Sequence, residues 1–333
     1  MNTYISAIDY YLPNQIVKTR DMMAETKPER LGFADTMIED KVGIFEVRHA
    51  DNNEKPSTLA TLAAKKALAK FEGNPDDIGM IIFCGIDRDY IEPSTAHIVQ
   101  HNLGLKNAVC FDVTNACLGF MTGIQIATPA ILANMTKHVL VCTGERSSDI
   151  SKVFIPNLKN TDSSQQYSKQ VGALTIGDAG VAAIISPSRE QQRGILGLQV
   201  SSKGQLADLC HYKLQNGKPE GQMLMKEICN AGFRTHKNML PKTLKAMGKT
   251  PDDINCVITH QVGKSPWERF SRLLGVKNEL MTKTFDTLGN ITSATFGVNY
   301  AKAIENDQVK EGDFLLAAMS GSGLTTCQIG IIV

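Results

Sequence analysis

The sequence predicts a layered α/β protein built from two similar halves, on three observations. Apolar, β-branched runs alternate with helical stretches along the whole chain, landmarks recur at an interval of roughly 175 residues, and the composition is globular throughout. "NPDDIGMIIFCG" from Asn74 is answered by "TPDDINCVITHQ" from Thr250, "FDVTNACLGFMTG" from Phe111 by "FDTLGNITSATFG" from Phe285, and "HVLVCTGERSS" from His138 by "DFLLAAMSGSG" from Asp313. Each half reads as helix, strand, helix, strand, helix, strand, with "GMIIFCG", "VLVCTG", "GVAAIIS", "CVITH", "DFLLAAM" and "QIGIIV" as buried strands. Such alternation predicts parallel sheets covered by helices. The polar stretch from Pro187 to Gly194 breaks the pattern and marks the seam, giving an amino-terminal half 1–187 and a carboxy-terminal half 188–333 that are not independent domains.

Composition narrows the function. The chain has 333 residues, 42% hydrophobic and 21% charged, with a formal net charge of +1, which argues against a protein that grips nucleic acid through phosphate contacts. No apolar stretch reaches bilayer-spanning length and "MNTYISAIDYYLPNQ" lacks the layout of a signal peptide, so a cytoplasmic protein is expected. Eight cysteines occur without C-x-x-C spacing, and Cys84, Cys110, Cys142 and Cys256 lie in strand-like runs, as reduced thiols packed like small hydrophobes do. His97 and His101 stand four apart on a predicted helix with no third ligand, so no metal site is expected.

Chemistry concentrates in three places. In "FDVTNACLGFMTG" the apolar run stops at Asn115, a favoured helix N-cap residue, so Cys117 is expected in the first turn of a helix. Unpaired backbone N–H groups there favour a thiolate, although a small buried core cysteine fits the same pattern. Asn290 occupies the corresponding loop of the second half, and His260 follows the strand "CVIT" at a strand end, where α/β folds assemble sites. Gly321, Ser322 and Gly323 form a flexible turn that can bring a backbone N–H to a ligand. Pro129 is expected to kink or end the helix after Cys117, Trp267 to be packing, and the polar tract from Ser147 to Lys169 to be a tunnel wall, a dimer contact or a surface loop.

With Cys117, His260 and Asn290 in that order, the chain resembles the thiolase superfamily, in particular its ketoacyl synthase III branch of condensing enzymes. The matching motifs are "NACLGF", "THQ", "GNITSA", "IGDAGVAAI" from Ile176 to Ile184, and the late "GSG". The resemblance runs from "YISAIDYYLPNQIV" to the carboxy terminus. It implies a thiolase-like duplicated five-layer α-β-α-β-α fold, a homodimer, and no cofactor beyond phosphopantetheine-linked substrates carried by CoA or acyl carrier protein. It further implies an acyltransferase performing a Claisen condensation in fatty-acid or secondary-metabolite biosynthesis.

In that chemistry Cys117 carries the acyl group, while the imidazole of His260 and the amide of Asn290 hold the carbonyl oxygen of the second thioester. The backbone N–H of Cys117, with that of Ser322 or Gly323, forms the oxyanion hole. Ile176 and Lys264 are expected to contact substrate, with Arg269 and Arg272 near its phosphate or an acidic carrier protein.

Two departures stand out. Where branch members that use acetyl-CoA commonly have Trp and Arg around the adenine, this chain has Met37 and Gln170, and Val262-Gly263 follows "THQ" where Ala-Asn is frequent. Glu92, beside "PSTA", is similar to the glutamate that head-to-head condensing enzymes of bacterial olefin formation insert from a neighbouring subunit as a base. It also fits a simple acidic cap on a helix beginning near Pro93. Non-decarboxylative joining of two long acyl thioesters is thus the first alternative. A non-catalytic partner subunit is the second. A papain-like hydrolase shares the Cys, His, Asn order but not the local signature of its nucleophile.

Overall fold

The computed structural model describes residues 2–188, 190, 193–215 and 218–333. Two sheets share one plan. The first has the order Asn2–Tyr11, Ala179–Ser188, His138–Glu145, Ile78–Phe83, Val109–Asp112. The second has Gly194–Ser202, Thr325–Ile332, Phe314–Gly321, Ile254–Thr259, and an isolated parallel bridge from Val257 to Met281 where the first sheet has its fifth strand. The expected parallel sheets are in fact mixed. Ile78–Phe83 pairs parallel with both neighbours, and Ile254–Thr259 with Phe314–Gly321, but the remaining pairings are antiparallel. Only Ser322 to Leu324 join the last two strands, too short a link for a crossover, so they fold back as a hairpin.

Helices complete five layers. Gly119–Leu132 and Thr295–Glu305 lie between the sheets; "GFMTGIQIATPAIL" is apolar nearly all round, as a helix buried on both sides must be. Phe120, Ile124, Phe296 and Val298 are fully buried there, each contributing about 2 kcal/mol of hydrophobic stabilisation. Pro129 falls in the last turn, and the helix ends at Leu132. Alanine-rich Pro56–Ala69 covers the outer face of the first sheet. Met225–Ala246 and Lys264–Leu274 cover that of the second, the latter burying Trp267, Phe270 and Leu274 at helical spacing. Trp267 donates its indole N–H to the Thr282 carbonyl at 2.8 Å.

Two local expectations are corrected. The tract from Ser147 to Lys169 is mostly helical, as Ser148–Asn160 and Ser164–Gln170, because Ser151, Phe154, Leu158 and Tyr167 supply a buried face among its polar residues. Glu92 caps no helix. The helix runs Thr95–Leu103, and its first N–H groups, from Thr95 and Ala96, donate at 2.8 and 2.9 Å to the Asp112 carboxylate.

Candidate active site

Cys117 sits at the top of the central layer, but in a turn rather than in a helix. The helix begins at Gly119, and Asn115 is not its cap: the Asn115 amide donates to Thr122 Oγ1 at 3.0 Å. The turn closes through Leu118 N–H to the Asn115 carbonyl and Gly119 N–H to the Ala116 carbonyl, both at 3.0 Å, with Ala116 in the left-handed region at φ 46°. Only glycine fits at 119, because a Cβ there would lie 2.0 Å from the Cys84 carbonyl oxygen. Burial raises the Cys117 thiol well above its ordinary value, and the Cys210 thiol and Glu145 carboxyl act in the same direction. The thiolate expected from a helix amino terminus is therefore not the resting form, since the helix starts beyond the sulfur and desolvation dominates.

His260 leaves the end of Ile254–Thr259. Its neighbour Gln261 anchors the turn: the Gln261 amide donates to the Thr282 carbonyl at 2.9 Å, and its oxygen accepts from Thr284 and Phe285 N–H at 3.0 and 3.2 Å. Burial lowers His260 to about 4, so the imidazole is neutral near pH 7, and among the described residues its buried Nδ1 has no hydrogen-bond partner.

Asn290 is fixed on both backbone sides, its N–H donating to the Thr175 carbonyl at 2.8 Å and its carbonyl accepting from Gly177 N–H at 3.1 Å. Its side-chain oxygen accepts from Thr292 N–H at 3.0 Å, which leaves the amide N–H groups as the free end. A Cβ at Gly289, where φ is 62°, would lie 2.3 Å from the Thr175 carbonyl oxygen, so a close backbone approach sets this loop.

Cys117, His260 and Asn290 line one cavity of about 70 Å³, small for a ligand site. Gly321 and Ser322 join them; a Cβ at Gly321 would lie 3.1 Å from Leu118 N, which shows how closely this turn approaches the nucleophile. The remaining wall is apolar and polarisable, with Cys210 and Met223 from the hairpin formed by Cys210–Gln215 and Lys218–Met223, and Cys229, Phe233 and Phe270 from the covering helices. An outer cavity of about 340 Å³ shares Met225, Cys229, Phe233, Val262 and Pro266 with the first and is rimmed by Lys41, Lys226 and Arg269. The Arg269 guanidinium stacks 4.2 Å from the Phe233 ring.

Other expected site residues lie apart from these walls. Glu92 is exposed on the loop before Thr95–Leu103. Lys264 is exposed at the first position of its helix, and Gly323 does not line the cavity. Ile176 is buried, meeting the site only through its backbone bridge to Asn290. Gln170 is buried and accepts from the Asn157 amide at 2.7 Å. Among the described residues no group of three or more His, Cys, Asp or Glu could hold a metal ion.

Comparison with known proteins agrees with this geometry. Residues 111–204 match the model of 3-oxoacyl-[acyl-carrier-protein] synthase III, and residues 244–331 match its C-terminal model. A β-ketoacyl-[acyl-carrier-protein] synthase III of Caldanaerobacter subterraneus is 30% identical over 317 residues, covering 95% of this chain and 93% of that one. The chain belongs to the 3-oxoacyl-[acyl-carrier-protein] synthase III family. It is thus a thiolase-superfamily condensing enzyme, an acyltransferase. Solved structures share the fold: FabH of Xanthomonas oryzae has a TM-score of 0.93 at 24% identity, covering 100% of this chain and 99% of that one. OleA of Xanthomonas campestris, solved with bound lauric acid and lauroyl-CoA, has a TM-score of 0.92 at 24% identity with the same coverage.

The hairpin residues Cys210 and Met223, the helix residue Phe233 and the anchor Gln261 of this synthase III relative were not foreseen. Only Gln261 carried a signal, as the last letter of "THQ".

Proposed function

We propose that the enzyme condenses two acyl thioesters through an acyl-Cys117 intermediate. The observation that carries this reading is the shared cavity of Cys117, His260 and Asn290, groups far apart in sequence. The Cys117 sulfur attacks the first thioester carbonyl, a new C–S bond forms, and the carrier thiol leaves with the proton. Because burial favours the protonated thiol, acylation draws that proton away as substrate enters; neutral His260 is the acceptor we assign. The backbone N–H groups of Cys117 and Ser322, or Gly323, stabilise the tetrahedral oxyanion. The second thioester then places its carbonyl oxygen on the His260 imidazole and the Asn290 amide, whose free donors suit an enolate. Loss of carbon dioxide from a malonyl α-carbon, or in the second reading of an α-proton to a base, leaves the enolate; its α-carbon then attacks the acyl carbon, forming the C–C bond, breaking the C–S bond and releasing the Cys117 thiolate.

Lys41, Lys226 and Arg269 at the outer cavity suit the phosphates of CoA or the acidic surface of a carrier protein. A homodimer fits the exposed edge strand Val109–Asp112, where Val109 is 64% exposed and free for strand pairing. We further assign a cytoplasmic location and a role in fatty-acid or secondary-metabolite biosynthesis, with the two halves dividing at 187/188.

The second reading, head-to-head condensation, is favoured by Glu92, which stands exposed beside the 99%-exposed Ile91 and so can act only in a neighbouring copy's cavity. Two assays separate the readings: condensation of acyl-Cys117 with malonyl thioester, and with a second saturated acyl thioester. Decarboxylative condensation that survives Glu92→Gln supports the first reading. Condensation of two saturated chains that is lost in Glu92→Gln, with acylation intact, supports the second. A native enzyme inactive in both assays contradicts catalysis by this site.

A further inference from the structure

The inner wall of the cavity carries a hydroxyl held in an unusual way. Ser320 lies on the strand Phe314–Gly321 and faces the helix Met225–Ala246 beside Gly232, whose added Cβ would lie 3.5 Å from the Ser320 oxygen. Behind it, His236 and Gln328 are completely buried. The Gln328 amide nitrogen donates to the His236 backbone carbonyl at 3.1 Å, which fixes the direction of the amide. The same nitrogen lies 3.2 Å from His236 Nδ1, so Nδ1 accepts. Burial lowers His236 to about 3, leaving a neutral ring whose one proton is on Nε2. That Nε2–H donates to Ser320 Oγ at 3.0 Å.

The serine oxygen is therefore occupied as an acceptor, and its own hydrogen cannot return to the imidazole. Among the described residues, Ser320 Oγ has no hydrogen-bond partner but His236. Two fully buried polar side chains thus present one O–H donor to the cavity, whose other polar groups are those of His260, Asn290 and Ser322. Among the described residues Gln328 Oε1 is buried without a partner, and the Ser320 O–H is the member of the relay that reaches the cavity, where a bound acceptor can pair it. Ser320 lines the inner cavity with Cys117 and is absent from the outer one rimmed by Lys41, Lys226 and Arg269. It therefore shares the cavity of the Cys117 sulfur and not the outer one assigned to the carrier arm.

We infer that Ser320, oriented by His236 and Gln328, selects acyl substrates that carry a hydrogen-bond-accepting oxygen near the thioester, as in 3-hydroxyacyl or 3-oxoacyl chains. This rests on the reading of Cys117 as the acyl acceptor. A donor left unpaired by a plain chain costs that chain roughly tenfold or more in kcat/KM.

The test measures rates of Cys117 acylation by octanoyl-CoA, 3-hydroxyoctanoyl-CoA and 3-oxooctanoyl-CoA, in the native enzyme and in Ser320→Ala. The native enzyme should prefer at least one oxygenated chain about tenfold, the two oxygenated arms telling hydroxyl from ketone. Ser320→Ala should lose that preference, chiefly through a rise of up to about tenfold in the octanoyl rate, since the donor that a plain chain leaves unpaired is gone. Octanoyl transfer without any preference in the native enzyme overturns this inference alone, whether or not the variant folds. Equal losses on all three chains in a folded Ser320→Ala also overturn it, since the hydroxyl would then serve the common carrier arm. No acylation by any chain overturns it together with the condensing reading.

Discussion

Glu145, the last residue of a first-half strand, accepts a hydrogen bond from Ser293, three residues beyond Asn290 in the second half. Ile86 N–H also donates to the carboxyl at 3.2 Å, and Thr143 Oγ1 lies 3.0 Å from Ser293 Oγ. One fully buried acid thereby ties the Asn290 loop to the segment leading toward Glu92. Glu145→Ala leaves these donors unpaired and should lower stability by about 2 kcal/mol in urea unfolding. It should slow condensation more than acylation of Cys117, because the proposed mechanism uses Asn290 only in the former.

The two half-reactions should separate at His260 and Asn290. Removing one donor to a developing oxyanion typically costs about 100-fold to 1,000-fold. Asn290→Ala should therefore keep stoichiometric acyl transfer to Cys117 while steady-state condensation falls by that factor. Quench-flow acylation alongside product assay checks it.

Buried titratable groups fix the pH dependence of stability. His49, His236 and His260 are lowered by burial to about 4, 3 and 4, from an ordinary value near 6.5. Between pH 6.5 and 4 the unfolded chain binds protons that the native state refuses, so these groups make stability fall as pH falls. Glu145, with Asp87 beside it, and Asp178 are raised by burial, to about 8 and 6 respectively. Their native forms keep protons the unfolded chain has released, so their contribution is lost as pH rises. Thermal unfolding should show a maximum near pH 6.5 with a slope on either side. Glu145→Gln should flatten the alkaline slope and steepen the acid one, because the raised Glu145 opposes the histidines between pH 4.5 and 6.5.

Glycine substitutions should differ sharply by position. Gly119→Ala drives a methyl against the Cys84 backbone oxygen, a contact that rotamer changes cannot relieve, and should cost about 3 kcal/mol or prevent folding. Gly204 has no atom within 4 Å of an added Cβ, and Gly204→Ala should change stability by less than about 0.5 kcal/mol. Parallel thermal melts of the two variants make the comparison.

Much of this architecture is legible in the chain because duplication doubles each signal. The repeats at Asn74 and Thr250, Phe111 and Phe285, and His138 and Asp313 mark equivalent strands and loops in the two sheets. Strand direction was not legible: a buried apolar run such as "QIGIIV" reads the same either way, and only the short Ser322–Leu324 link forces the antiparallel return. That Cys117, His260 and Asn290 lie together was legible because chemistry restricts the residue types at strand ends, and the structure brings the three to one cavity. Cys210 and Met223 were not, because a hairpin's position over a cavity is set by tertiary packing, and their side chains are unremarkable in sequence. The raised Cys117 thiol was missed for a related reason: the local pattern suggests a helix amino terminus, whereas the desolvation that dominates comes from residues distant along the chain.

The most direct test of the shared-cavity account is the intact mass of the protein after incubation with acyl-CoA thioesters of graded length. The account predicts an increase by one acyl group in the native chain and none in Cys117→Ala. No increase with any chain length, or an undiminished increase in Cys117→Ala, would contradict it.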